Sequence, residues 1–201
     1  MTTLLSTTYF GPIEWYQQLY RADRVLLEAN ESYVKQTFRN RCIIATANGR
    51  QALTVPVEHG GSRLIRDVRI SNHGSWRRQH WNALQSAYSE SPFFEYYVDD
   101  LLPFFDRDYA FLYDYNFEIM QKMCELLDIH PVVEETKEWK QGEDPSTPPQ
   151  GEALGAAVSP LGGTEGGAPY YQVFAHKHGF LPHLSILDLL FNMGPEGVFW
   201  L

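Results

Sequence analysis

The segment from residue 41 to residue 57 restricts the fold most, because two short strand-forming runs flank Asn48-Gly49. Asn-Gly readily takes the positive φ angles of a tight hairpin turn. Cys42-Ile43-Ile44 on one side and Leu53-Thr54-Val55 on the other suit extended backbone. The expectation is a β-hairpin with strands at 41–46 and 52–57. Pro56, which has no amide hydrogen, belongs at a strand end or a sheet edge.

The pattern differs on either side of this hairpin. Upstream, residues 4–10 have strand composition, Gly11-Pro12 marks a turn, and Tyr16, Leu19 and Tyr20 recur at helical spacing within 13–20. Val25-Leu26-Leu27-Glu28 follows as a second short strand, and 65–70 reads as another. This order indicates an α/β or α+β fold, a mixed β-sheet with packed helices, in which ligand contacts gather at loop ends. Downstream of Asn72 the period becomes helical. Ser75 is a candidate N-cap for a helix reaching about Ser89, a second helix follows Pro92, and a third spans 109–127.

Composition changes again at Glu138, where two stretches rich in Gly, Pro, Ser and Thr disfavour regular structure. The chain therefore divides into a core at 1–137, a flexible linker or insertion at 138–169, and a C-terminal segment at 170–201. Within that segment the apolar run 184–191, bounded by Pro182 and Gly194-Pro195, is expected as a helical extension docked on the core.

The 201 residues carry a formal charge of -9 at pH 7, which argues against nucleic acid as a partner but leaves room for a local basic pocket. Cys42 and Cys124 lack metal-ligand spacing and are expected as buried reduced thiols. Residues 1–10 lack the basic segment and apolar core of a secretory signal, and no run is long enough to span a bilayer. A cytoplasmic location without a transmembrane segment is expected.

No phosphate loop, dinucleotide fingerprint, paired-cysteine zinc motif or nucleophile elbow is present, so no cofactor and no metal set is specified. Gly60-Gly61-Ser62 reads as a surface turn and His176-Lys177-His178 as a solvated loop. Lys35, Arg39, Asn40 and Arg41 form a basic and amide cluster at the start of the hairpin. A guanidinium there offers paired donors to phosphate or carboxylate, and a structural salt bridge is the competing role. His80 offers acid–base chemistry near neutrality, or packing beside Trp76. Glu95 and Tyr96, near the start of the next helix, are candidates to orient a ligand hydroxyl. Glu14 either receives a ligand amine or stabilises the first helix, and Tyr9, Trp15 and Trp76 offer apolar sugar contacts.

Taken in order, Tyr9-Phe10-Gly11-Pro12-Ile13-Glu14-Trp15-Tyr16, Arg21-Ala22-Asp23, Lys35, Asn40-Arg41, Asn48-Gly49, Leu53-Thr54-Val55-Pro56-Val57, Asp67-Val68-Arg69-Ile70, Trp76, His80, Tyr88 and Ser91-Pro92-Phe93 resemble the WbqC-like protein family. Similarity resumes at Gly179-Phe180-Leu181-Pro182 and from Leu184 to Leu190. The resemblance implies association with bacterial surface-polysaccharide or O-antigen gene clusters, and glycine or other acyl transfer to an amino sugar. It points to Tyr9, Lys35, Asn40, Arg41, Trp76 and His80 as site positions, with an anionic small molecule or nucleotide-sugar as the partner. In such a transfer His80 takes a proton from the acceptor amine and Tyr96 or backbone amides stabilise the oxyanion. A noncatalytic nucleotide-sugar or carbohydrate binder and a structural homodimer are the alternatives.

Overall fold

Leu4-Leu5 and Val25-Leu26-Leu27 form the parallel strands β1 (Thr2–Ser6) and β2 (Arg24–Glu28), with Leu5 opposite Leu27. The structure, a computed structural model, describes residues 2–60, 63–138 and 168–201. Between the two strands runs α1 (Ile13–Arg21), which buries Ile13, Trp15, Tyr16 and Leu19. Glu14 in its first turn and Arg21 in its last both suit the helix dipole. The hairpin follows as β3 (Arg41–Thr46) and β4 (Gly49–Thr54), paired Thr46 to Gly49. Its second strand begins three residues earlier than expected, because the turn is Ala47-Asn48 and Gly49, at φ 102°, already belongs to the ladder. Pro56 consequently lies beyond the strand end.

The helical half comprises α2 (Trp76–Tyr88), α3 (Phe94–Leu101), the short α4 (Pro103–Asp106) and α5 (Leu112–Leu126). β5 (Val133–Glu135) then pairs with β2, giving a parallel sheet in the order β1-β2-β5. The result is a mixed α/β fold of a parallel sheet, a hairpin and packed helices. β5 was not expected from the sequence, since three residues, two of them glutamates, carry no period.

Residues 65–70 do not form a strand. Ile65–Asp67 is a 3-10 turn, and Arg69 and Ile70 make only isolated bridges to Phe111 and Val57. Tertiary partners take this backbone: Ile65 donates to the Glu31 carbonyl and Leu112 donates to that of Val68. The strand expected at 4–10 likewise stops at Ser6. Tyr9 donates its amide to Phe38, Phe10 has φ 41°, and both rings are fully buried. Cys42 and Cys124 are free and buried, and burial pushes the Cys124 thiol up to about 12.

The C-terminal segment, with α6 (Ala175–His178) and α7 (Ile186–Met193), closes the core. Every residue from Ile186 to Asn192 is buried, as befits a helix apolar nearly all round. Its Ile, Leu and Phe side chains each contribute roughly 1.5–3 kcal/mol of burial. The lead-in stitches two parts of the fold together. Ile13 donates to Leu184, Ile186 to Gly11 and Ser185 to Ile43, while the Ser185 hydroxyl donates to Phe10 at 2.7 Å. The linker expected at 138–169 lies, but for its ends, outside the described residues, as do Gly61 and Ser62.

Gly11 sits inside this crossing, and a Cβ on it would overlap the Thr8 side chain. Gly11→Ala is expected to destabilise the protein by about 1–3 kcal/mol through overpacking. A urea-unfolding midpoint equal to that of the wild type would show that Thr8 moves aside freely.

Candidate functional site

Arg39 takes the structural role rather than the anion-binding one. Its guanidinium, 0% exposed, lies against Glu31, with Nε donating to Oε1 at 2.7 Å and Nη2 to Oε2 at 2.6 Å. The remaining donors reach Thr37 Oγ1 and Ser6 Oγ, and Ser6 donates to the same carboxylate. Asn40 is also a framework residue: its Nδ2 donates to the Val55 carbonyl at 3.0 Å, and its Oδ1 is buried without a partner among the described residues. Arg41 is half-buried with Nε on Thr54 Oγ1, and Lys35 is exposed in a turn. The basic cluster is therefore split between an interior ion pair and two outer cations.

His80 is brought to Tyr9 and Trp76, two of the positions to which the resemblance pointed, but inside the core. The Tyr9 hydroxyl lies 2.9 Å from His80 Nδ1, and the Trp76 ring meets the imidazole edge-on at 5.1 Å. Burial pushes the His80 pKa down to about 4, against a hydrogen bond to the Thr54 backbone that raises it. With the imidazole engaged by Tyr9 and Thr54 and 6% exposed, His80 has no open route to a substrate proton. Glu95 and Tyr96 do not join it. Both are exposed on α3, Tyr96 at 72%, with its ring against Tyr97. Trp15 is 1% exposed and donates Nε1 to Ser6, so it packs the core and meets no ligand.

Glu14 is partly buried, its side chain 18% exposed. It lines a narrow cleft between α1 and the C-terminal segment, with Phe180, Pro182, His183 and Trp200 among the other walls. Glu14 Oε1 is 2.6 Å from His183 Nδ1, and Glu14 Oε2 has no partner among the described residues. An ionised carboxylate only accepts, so Nδ1 donates and Nε2 is the nitrogen left for other chemistry. His183 has φ 60°, a left-handed conformation uncommon outside glycine. The Leu184-Ser185-Ile186 crossing beside it holds that geometry.

Behind the cleft lies Asp188, 1% exposed. It accepts from Tyr88 at 2.8 Å and from Tyr170 at 2.5 Å, with Gln172 Nε2 at 3.2 Å. Burial pushes its carboxyl up to about 6, opposed by those hydrogen bonds. Tyr170 is itself a cleft wall, and Gln172 bonds both backbone groups of Leu181. The inner carboxylate thus fixes the wall that carries His183. Among the described residues no group of three or more His, Cys, Asp or Glu converges to hold a metal ion.

The WbqC-like protein family matches residues 7–159. The chain belongs to this family. The match covers the hairpin, α1 with Glu14, and the Tyr9–His80 pair. A relative, the uncharacterized protein Rv1507c of Mycobacterium tuberculosis, is 26% identical over an alignment covering 96% of this WbqC-like chain and 94% of that one. No solved structure matches. No helix among the described residues is long and apolar enough to cross a membrane. The sequence did not single out His183, Tyr170 and Trp200 as site candidates, because nothing local links them to Glu14. His183 is 169 positions away from it. The one available signal was the Pro182-His183 dipeptide ahead of an apolar helix, which reads equally well as a plain turn.

Proposed function

We propose that this WbqC-like protein transfers an acyl or aminoacyl group, glycine foremost, to the amine of an amino sugar in bacterial surface-polysaccharide biosynthesis. The family is linked to that biosynthesis, which supplies the acceptor class. The observation that carries the reading is the Glu14–His183 pair, 2.6 Å apart in a cleft walled by Phe180 and Trp200. Aromatic faces suit the apolar side of a sugar ring. A carboxylate on Nδ1 orients an imidazole so that Nε2 takes a proton, as general-base catalysis requires. In the transfer the sugar nitrogen attacks the carbonyl carbon of an activated acyl ester or thioester. The N–C bond forms, the bond to the donor's leaving group breaks, and the nitrogen's proton passes to His183.

The test incubates nucleotide-linked amino sugars with activated glycine donors and reads product by mass spectrometry. His183→Asn keeps a residue type that tolerates the left-handed backbone, and it is expected to slow transfer by about 10²–10⁴-fold at an unchanged unfolding midpoint. Undiminished transfer in that variant removes His183 from the chemistry. Binding without product across the panel favours the noncatalytic nucleotide-sugar binder.

A further inference from the structure

We infer that the tip of the hairpin, joined through Arg50 to the cleft-wall residue Pro182, is an anion subsite in which Arg50, Lys177 and His178 receive the diphosphate of a nucleoside-diphosphate-linked sugar. The inference rests on the reading of the cleft as a sugar site, and it moves the anion contact away from the Arg39-Asn40-Arg41 cluster. Arg50, on β4, donates Nη2 to the Pro182 carbonyl at 2.8 Å, one residue from His183. Lys177 Nζ, 2.6 Å away, donates to the Ala47 carbonyl in the hairpin turn, and His178 Nε2 lies 3.1 Å from the same oxygen. Lys177 and His178 are thereby anchored on the hairpin turn, and Arg50, two residues past that turn, on Pro182.

Their partners distinguish them from five other bases of the chain. Arg24, Arg39, Arg69, Arg77 and Lys122 each pair with a carboxylate. Arg50, Lys177 and His178 bond instead to backbone carbonyls, as Arg21 and Arg66 do elsewhere in the fold, and a carbonyl positions the Arg50 and Lys177 cations without neutralising them. Arg50 retains the planar donor fork suited to phosphate oxygens, and Lys177 retains two further ammonium protons. In a sugar nucleotide the diphosphate is bonded directly to the sugar's anomeric oxygen. An anion held beside Pro182 and a sugar ring at the cleft that Pro182 lines are then adjacent parts of one ligand. Along the hairpin, Arg41 pairs with Thr54 and Arg50 with Ala45. At about 3.3 Å per residue this places the two candidate anion sites roughly 13 Å apart, far enough to be told apart.

The experiment titrates the full chain with inorganic pyrophosphate and, in a second arm, uridine diphosphate, following backbone amide shifts by NMR. Saturable shifts are expected in both arms at residues 47–50 and 176–178, weakening as salt is raised. The exposed double variant Arg50→Ala/Lys177→Ala is expected to bind about tenfold more weakly or worse, with Arg41→Ala unchanged. Shifts centred on Lys35 and Arg41, binding of the nucleotide but not of pyrophosphate, no saturation in either arm, or wild-type affinity in the double variant would each overturn the inference. Diphosphate binding without any aminoacyl transfer leaves this subsite standing and removes the transfer reading. Transfer undiminished in the double variant at limiting acceptor does the reverse.

Discussion

Glu31→Ala is expected to destabilise the protein by about 3–5 kcal/mol, because it strands the Arg39 guanidinium in the interior. Arg39 is 0% exposed and Glu31 2%, and the two share a bidentate contact reinforced by Ser6. Removing the carboxylate leaves Arg39 only the Thr37 and Ser6 hydroxyls, which cannot offset the desolvation of a full charge. Arg39→Met should cost a comparable amount, for the mirror reason that Glu31 then lacks its cation. The double variant Glu31→Leu/Arg39→Met removes both charges and is expected to recover most of the loss. Urea unfolding of all four proteins checks this, and a single-variant cost under about 1 kcal/mol would mean that water reaches the pair.

Asp188 and His80 should shape acid stability in opposite directions. The Asp188 carboxyl is raised from 3.8 to about 6 in the folded state. Its contribution is fully present below 3.8 and is lost as pH rises through 6, an amount of about 3 kcal/mol. His80 is lowered from 6.5 to about 4. Its contribution is fully present above 6.5 and is lost as pH falls through 4, again about 3 kcal/mol. Between about pH 4 and pH 6 the two slopes therefore largely cancel in the wild type.

Either substitution uncovers the other slope. His80→Gln is expected to gain about 2 kcal/mol relative to the wild type as pH is lowered from 6 to 4, since the His80 loss over that window is gone. Asp188→Asn should fall by about 2 kcal/mol relative to the wild type over the same window. Both substitutions also carry pH-independent offsets from altered hydrogen bonds to Tyr9, Tyr88 and Tyr170, so the slope of the difference is the quantity to read. Parallel stability profiles for the three proteins would show that neither group titrates inside the fold.

The sequence exposed some parts of this architecture and concealed others for identifiable reasons. α1, α2, α5 and α7 were legible because each repeats apolar residues over two or more turns. The hairpin was legible from Asn48-Gly49, although its register shifted when the turn closed one residue earlier. β5 and the 3-10 turn at Ile65–Asp67 were not legible, because distant backbone partners define them and no local period does.

For the candidate site the division follows the same line. The chain by itself determined which residue types were available: a basic cluster beside a hairpin, a histidine next to a tryptophan, and a carboxylate in the first turn of a helix. Only the tertiary structure decided how each is used. It turned Arg39 inward onto Glu31, closed His80 against Tyr9, and brought His183 to Glu14 across 169 positions. The physical reason is that a charge's role depends on desolvation and on the partner within about 4 Å of it, and sequence distance constrains neither.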